Sequence, residues 1–271
     1  MDATMLAVGL GTIVGLVMAL TGAGGGVLAI PLLVFGLHLP VQQAAPAGLV
    51  AVGLAAAVGT AFGLRQHIVR YRAAGLIGGV GMLMAPLGVF MAQRLPNRPL
   101  LAAFAVVLAY SAWRMLRRPA LAIPETPDPE TVPCHVNSAD QRLTWTRPCA
   151  RALAGTGLVS GVLSGLLGVG GGFVIIPALK RYTDLDIRSV QVTSLAVIAL
   201  VSLSGVSAAA WYGSLPWGVA LPFGAGAVLA LMAGRLVANK LHPAHLQQAF
   251  AWFSLAIALL MLARAFGLVV N

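Results

Sequence analysis

Two stretches of this chain are near copies of each other, LTGAGGGVLAIP at Leu20–Pro31 and LLGVGGGFVIIP at Leu166–Pro177. They lie 146 residues apart, and the same offset aligns Gly11 with Gly157 and Phe104 with Phe250 without a gap. Agreement at this range of positions indicates an internal duplication of the whole fold. The duplicated unit, and the glycine run inside it, decide how the rest of the sequence is interpreted.

The composition is that of an integral membrane protein. Hydrophobic residues make up 59% of the 271 positions and charged residues 9%, against roughly 25% charged in soluble domains. The apolar residues form long uncharged windows, and about 20 such residues cross a bilayer as a helix. The strands of a membrane β-barrel would need alternating polar and apolar positions, which are absent. We therefore predict an all-α, multi-pass membrane protein.

The repeat divides the chain into three units: a first transmembrane repeat at 1–118, a polar linker at 119–151 and a second transmembrane repeat at 152–271. Each repeat begins with a glycine-interrupted segment and continues with three spans. The interrupted segments are predicted at roughly 4–37 and 152–181, and the spans near 41–64, 73–93, 99–117, 189–211, 216–239 and 244–266. Within the linker, the polar turn Asn137–Asp140 favours a small β-hairpin.

The interrupted segments carry the functional hypothesis. Each is too long for one span and too short for two, and consecutive glycines destabilise a helix. Two half-helices that meet at the membrane midplane satisfy both facts, with the second half-helix starting near Val27 or Phe173. Paired interruptions in two repeats are typical of a transporter binding site. Glycines spaced like Gly11 and Gly15, in contrast, are better explained by close helix packing.

We predict that free backbone amides at these breaks bind an anion. The two breaks are expected to face each other, and glycine is expected because a Cβ would forbid positive φ and fill the space of the anion. Three polar residues in the QVTSL segment are added as candidates, although hydroxyls within membranes often bond to neighbouring carbonyls instead. The candidate substrate ligands are Gly24, Gly25, Gly26, Gly170, Gly171, Gly172, Gln191, Thr193 and Ser194.

Charge in the loops predicts that the two repeats are inverted. The loop Gly36–Pro40 is uncharged whereas its counterpart carries Lys180, Arg181 and Arg188, and the next pair of loops shows the opposite bias. Under the positive-inside rule, equivalent loops then lie on opposite sides of the membrane. Inversion requires an odd number of crossings, which is met if each interrupted segment forms a hairpin. The linker is then cytoplasmic, and its two cysteines are expected as thiols there, or as a disulfide if the linker is periplasmic.

The residues quoted above resemble the TauE/SafE sulfite exporter family. The resemblance rests on the duplicated Gly-x-Gly-Gly-Gly followed by Pro31 or Pro177, on GVLSGLLGVGGGFVIIPAL at 161–179, on QVTSL at 191–195 and on WTRP in the linker. It covers nearly the whole chain. It implies a permease for sulfite, sulfonates or related sulfur oxyanions in a bacterial inner membrane, without fixing the anion.

An anion transporter is therefore the favoured function, with an intramembrane enzyme and a membrane scaffold or sensor as alternatives. The spans contain no deep carboxylate or paired catalytic side chains, so no enzyme activity is expected. No cofactor is expected, and Cys134, His135 and Cys149 are too few ligands for a structural zinc site. The net charge of +10 is attributed to cytoplasmic loops and not to nucleic-acid binding. The expected partners are a small anion and the lipid bilayer, and a homo-oligomer is left open.

Overall fold

The computed structural model describes residues 3–66, 68–117, 134, 146–238 and 243–266, and these residues are helical apart from turns and one isolated bridge. The side chains at 20–24, 115, 235–247, 249 and 250 are outside the description. So is the predicted hairpin in the linker. The helices are α1 Ala3–Thr21, α2 Ala29–Gly36, α3 Val41–Arg65, α4 Tyr71–Arg94, α5 Asn97–Arg117, α6 Arg147–Leu167, α7 Gly172–Tyr182, α8 Ile187–Trp211, α9 Trp217–Ala238 and α10 Pro243–Ala265, with a 3-10 helix at Gly22–Leu28.

The six predicted spans correspond to helices α3, α4, α5, α8, α9 and α10. Of the described helices, α3, α4, α6, α8 and α9 are long and apolar enough to cross a membrane. Shorter apolar helical stretches occur at Ala3–Ala19, Gly25–Gly36 and Ala251–Ala265. The protein is therefore an all-helical, multi-pass membrane protein.

Polar caps start two of the second-repeat helices. The hydroxyl of Thr146 accepts a hydrogen bond from the amide of Cys149 at 3.2 Å, and the carboxylate of Asp186 accepts one from the amide of Ser189 at 3.1 Å. Each cap satisfies one of the amides that a helix start leaves without an intrahelical partner. Burial raises the pKa of Asp186, but the hydrogen bonds from Ser189 and the charge of Arg70 together lower it below its ordinary value.

Helices from the two repeats interleave. Helix α1 packs on α9 and α6 on α4, while α3 packs on both α8 and α9, and α5 packs on α10. With α1 to α5 corresponding to α6 to α10, the α1–α9 contact and the α6–α4 contact are equivalent to each other. Each repeat therefore buries its helices largely against the other repeat, and neither forms a separate bundle.

Glycines make the closest helix contacts. A Cβ on Gly15 would meet the carbonyl oxygen of Ala227, and a Cβ on Gly161 would lie 2.5 Å from the carbonyl oxygen of Gly81. The α1–α9 and α6–α4 pairs approach backbone to backbone because no side chain stands between them. These contacts support the packing interpretation of Gly11, Gly15 and their counterparts in the second repeat.

The directions of the helices follow from such contacts. Gly53 of α3 lies against Ser202 of α8, and Gly63, further along α3, lies against Val192, nearer the start of α8. Helices α3 and α8 are thus antiparallel. In the first repeat, Gly25 lies against Met18, and α2 returns along α1 until Gly36 meets the side chain of Leu10. The interrupted segment is therefore a hairpin.

The bundle has two distinct ends. At one, which we call the linker end, Arg188 Nη2 donates to Gln66 Oε1 at 2.8 Å, and the amide of Cys134 donates to the carbonyl of Tyr182 at 3.2 Å. At the opposite end, the amide of Val41 donates to Asn97 Oδ1 at 3.0 Å. The α3–α4 and α7–α8 turns and the start of α6 lie at the linker end. The α2–α3 and α4–α5 turns lie at the opposite end.

Candidate functional site

The second glycine segment is a tight turn between two helices. Helix α6 ends at Leu167, and α7 begins at Gly172. Between them Gly168, Gly170 and Gly171 have φ of 68°, 74° and 73°, a region that residues with a Cβ rarely adopt. Gly168 closes α6 by donating its amide to the carbonyl of Ser164 at 2.7 Å.

The turn leaves a row of backbone donors at the start of α7. The amides of Val174 and Ile175 donate to the carbonyl of Gly171 at 3.0 and 3.1 Å. Those of Gly170, Gly171, Gly172 and Phe173 donate to no acceptor in the part of the chain that the structure describes. The three glycines are buried, and a buried donor without a partner costs about 1–3 kcal/mol. With the positive end of the helix dipole behind them, these amides are suited to an anion.

The first glycine segment has a different backbone. Residues Gly22–Leu28, including the candidates Gly24, Gly25 and Gly26, form a 3-10 helix that leads directly into α2 at Ala29. Neither Gly25 nor Gly26 has positive φ. The prediction of a positive φ at Gly25 was wrong, whereas α2 starts two residues after the predicted position near Val27. At Gly25 glycine is needed for its missing side chain, because a Cβ there would lie 2.5 Å from the amide nitrogen of Met18.

The two glycine segments meet in the middle of the bundle. A Cβ on Gly26 would lie 3.2 Å from the carbonyl oxygen of Val169. The side chain of Val52 lies beside both segments, 3.0 Å from that position on Gly26 and 2.9 Å from the Cβ position of Gly170. Ile198, the counterpart of Val52 in the second repeat, lies 2.8 Å from the same position on Gly170.

Two of the three QVTSL candidates, Thr193 and Ser194, use their hydroxyls away from this meeting point. Thr193 Oγ1 accepts a hydrogen bond from the amide of Arg70 at 3.2 Å, at the linker end. Ser194 Oγ donates to the carbonyl of Gln191 at 2.7 Å. Gly170 contacts α8 later, at Ile198 and Ser202, which is roughly 6–12 Å further along the helix axis than Ser194. The hydroxyls of Thr193 and Ser194 thus serve local contacts.

Two other serines lie next to the second glycine turn. Ser160 is fully buried, and its Cβ and carbonyl oxygen lie 3.0 Å from the Cβ position of Gly171. Ser202 is 1% exposed, and its Oγ lies 3.6 Å from the Cβ position of Gly170. At the 146-residue offset their counterparts are the apolar Val14 and Ala56. That replacement within an apolar segment is the sequence signal by which these serines could have been found.

The described charged side chains lie at the ends of the bundle, and the groups nearest the described glycines of the two segments are apolar side chains, backbone and serines. At the linker end, a disulfide joins Cys134 to Cys149. Cys134 also pairs with Thr183 at the end of α7, so the disulfide ties the start of α6 to the end of α7. Among the described residues, no group of three His, Cys, Asp or Glu side chains is placed to hold a metal.

The sequence of this chain matches a known protein family over nearly its whole length. The profile named "Sulfite exporter TauE/SafE" matches residues 7–261. The chain belongs to the TauE/SafE family. This confirms the resemblance seen in the duplicated glycine motif, and membership identifies the chain as a membrane transporter that contacts the bilayer and a small substrate.

Two curated relatives cover nearly the full length. A "Probable membrane transporter protein" of Xylella fastidiosa (strain 9a5c) is 27% identical over 267 residues, which is 97% of this chain and 96% of the relative. The corresponding protein of strain Temecula1 / ATCC 700964 is 26% identical over 270 residues, with the same coverage. No solved structure shows significant similarity to this chain.

Proposed function

We propose that this TauE/SafE protein carries small anions, sulfite, sulfonates or related sulfur oxyanions, across a bacterial inner membrane. The observation that carries the proposal is the row of amides at Gly170–Phe173, which have no acceptor among the described residues and of which the three glycines are buried. An oxyanion can accept several such hydrogen bonds in place of its hydration shell. Because none of the described side chains nearest the Cβ positions of Gly170 and Gly171 is cationic, binding is expected to be weak enough for release.

We propose that the two glycine segments together form the substrate site and that they contribute to it in different ways. Gly170, Gly171 and Gly172 supply free amides at a helix start, whereas Gly24, Gly25 and Gly26 lie in a 3-10 helix whose turn faces Val169. The first segment then acts as the opposite wall of the site. Transport is proposed to involve relative movement of the two hairpins, which contact each other at Gly26 and Val169.

We propose that the repeats have inverted topology. The antiparallel packing of α3 and α8 supports this, because these helices occupy equivalent places in the two repeats. The hairpins support it too, since a hairpin followed by three spans gives each repeat an odd number of crossings. An axis in the membrane plane then relates the repeats, as in other carriers with discontinuous helices.

The linker is proposed to be cytoplasmic. Arginines and lysines concentrate at the linker end, where the helix termini and turns carry Arg65, Arg70, Arg72, Arg114, Arg117, Arg147, Arg151, Lys180, Arg181 and Arg188. The opposite end carries Arg94, Arg98 and Arg264 among the described residues. The disulfide argues for the other orientation, because disulfides persist in oxidising compartments. We give the charges more weight, since they occur at three helix connections, α3–α4, α5–α6 and α7–α8, and two nearby cysteines can also exist as thiols.

The orientation is tested with a single cysteine at Ser138 in a variant that lacks both native cysteines. With the linker inside, an impermeant maleimide leaves this cysteine unmodified in intact spheroplasts and modifies it after lysis. Modification in intact spheroplasts would place the linker outside and reverse the orientation.

Transport is tested with purified protein in proteoliposomes. We expect uptake of radiolabelled sulfite, a sulfonate or thiosulfate above that of protein-free liposomes, measured with and without a pH gradient. The alternatives, an intramembrane enzyme or a scaffold, are not favoured, because neither needs two matched hairpins with free amides between them. Absence of flux for all three anions would refute the proposed function.

A further inference from the structure

A large apolar cavity lies beside the glycine turn. Its volume is about 700 Å³, and its walls are formed by α3, the start of α4, α8 and the start of α9. We call it the lateral cavity, because Leu54, Leu203 and Leu221 line it and are 44%, 64% and 55% exposed. On a membrane protein such leucines face lipid. The cavity is large enough to hold a small organic ligand.

The walls of the lateral cavity are almost entirely hydrocarbon. Among the described residues, no charged side chain lines it. The hydroxyl of Thr60 is used within its own helix, where it donates to the carbonyl of Ala56 at 2.7 Å. Tyr71 and Trp217 lie at opposite ends of the cavity, since α4 begins at the linker end and α9 begins at the other. An inorganic oxyanion finds no hydrogen-bond donor along most of this surface.

Ser202 connects the cavity with the glycine turn. It lines the cavity, and its Oγ also lies 3.6 Å from the Cβ position of Gly170. The side chain is 1% exposed, and its Oγ has no hydrogen-bond partner among the described residues. A buried hydroxyl without a partner is unfavourable by about 1–3 kcal/mol. Together with the free amides at the start of α7, it is a second, independent donor without a described partner beside the same turn.

The charge of the ligand is limited by the surroundings of the turn. The groups in contact with Gly170 and Gly171 are Ile198, Val52, Ser202 and Ser160, none of which is cationic. The cost of burying an ion rises with the square of its charge, so a dianion costs about four times as much as a monoanion. Amides and one hydroxyl can compensate a single charge far better than two.

From these observations we propose that the substrate is an organic monoanion with a head and a tail, an organosulfonate with an apolar chain. The sulfonate oxygens accept hydrogen bonds from the amides of Gly170–Gly172 and from Ser202 Oγ. The chain lies in the lateral cavity. This inference rests on the proposed function, and it goes beyond it by naming Ser202 as a ligand and the cavity as the part of the site that selects the tail.

Linear alkanesulfonates of one to six carbons test the tail. Their inhibition constants are measured against uptake of radiolabelled methanesulfonate in proteoliposomes, with free aqueous concentrations determined. Burial of a methylene contributes at most a factor of about four, and we expect the inhibition constant to fall two- to fourfold for each carbon. Sulfate, a dianion without a tail, should inhibit least.

Two variants fill the cavity. Ala199→Phe on α8 should flatten the chain-length series and leave methanesulfonate within about threefold of wild type. Ala57→Phe, on the facing side of α3, should have the same effect. It provides the test if Ala199→Phe does not fold. The matched control is Ala103→Phe, at an exposed position of α5 away from the cavity. It should keep the wild-type series.

Ser202→Ala tests the head. Loss of a hydrogen bond to a charged group should raise the inhibition constants of all chain lengths in parallel, by about 10- to 100-fold. The matched control is Ser254→Ala, which also removes a buried hydroxyl without a partner among the described residues, but on α10. It should leave the constants unchanged.

The outcomes separate this inference from the proposed function. If the protein carries sulfite or methanesulfonate but the series is flat in wild type, the tail assignment is wrong and the proposed function stands. The same holds for the head if Ser202→Ala matches Ser254→Ala. If the wild-type protein carries no sulfur oxyanion at all, both proposals are overturned.

Discussion

Replacement of Gly171 by alanine separates backbone strain from loss of the site. Gly171 has φ of 73°, and an L-residue in this region costs about 1–2 kcal/mol. The added Cβ would also lie 3.0 Å from the carbonyl oxygen and from the Cβ of Ser160. The α6–α7 hairpin must then open by a few tenths of an ångström. The amides that precede α7 move with it.

The matched control is Gly213, in the turn between α8 and α9. Its φ is 65°, nearly the value of Gly171, and nothing lies within 4 Å of its Cβ position. Gly213→Ala therefore carries the same backbone cost of about 1–2 kcal/mol without a steric contact and without a neighbouring amide row. Both variants should insert in the membrane and unfold at temperatures below wild type.

Their transport should differ. Loss or misdirection of one hydrogen bond to a charged ligand is worth about 1.5–3 kcal/mol, so Gly171→Ala should reduce kcat/KM for sulfite about 10- to 100-fold. Gly213→Ala should transport at the wild-type rate. The assay is initial uptake into proteoliposomes, with size-exclusion profiles and thermal unfolding as controls for folding. Equal transport by the two variants would show that the glycine turn is a packing device and that the anion binds elsewhere.

Three further predictions concern the frame around the site. Gly15→Ala should prevent the close approach of α1 to α9 and lower the thermal stability. The control is Gly9→Ala, whose added Cβ meets nothing within 4 Å and which should be neutral or stabilising by up to about 1 kcal/mol. Equal stabilities of the two variants would contradict the packing interpretation. Asp186→Ala should cost about 1 kcal/mol through the lost α8 cap. Because the pKa of Asp186 is lowered in the folded protein, this contribution is present above its unfolded pKa and is lost as the pH falls through the folded value. A wild-type acid-unfolding profile in that variant would refute the role. Finally, if the linker is cytoplasmic, acid-quenched cells treated with an alkylating reagent should yield Cys134 and Cys149 mainly as alkylated thiols; a disulfide in most of the protein would place the linker outside.

Much of the architecture follows from the sequence because the bilayer limits the choice of structures. Runs such as 41–64 and 189–211 have to be helices, since backbone groups in lipid need partners within the segment. The structure forms helices at Val41–Arg65 and Ile187–Trp211. The duplication was likewise visible as aligned residues, and it includes Gly15 and Gly161, where an added Cβ would meet a backbone carbonyl oxygen. Family membership follows from the same motif.

The details of the site required the tertiary structure. Two segments with nearly the same letters have different backbones, a 3-10 helix at Gly22–Leu28 and a positive-φ turn at Gly168–Gly171. Glycine can adopt both backbone conformations, and the residues packed against each segment determine which one forms. Gly25 lies against Met18, and Gly171 lies against Ser160. Thr193 and Ser194 were selected by polarity alone, but their hydroxyls bond near the linker end. Ser202 lies about two helical turns after Ser194 on α8, and it is next to the glycine turn. The antiparallel packing of α3 and α8 determines which residues of α8 lie beside Gly170. Local sequence determines which segments are helices, but only long-range packing determines which donors converge.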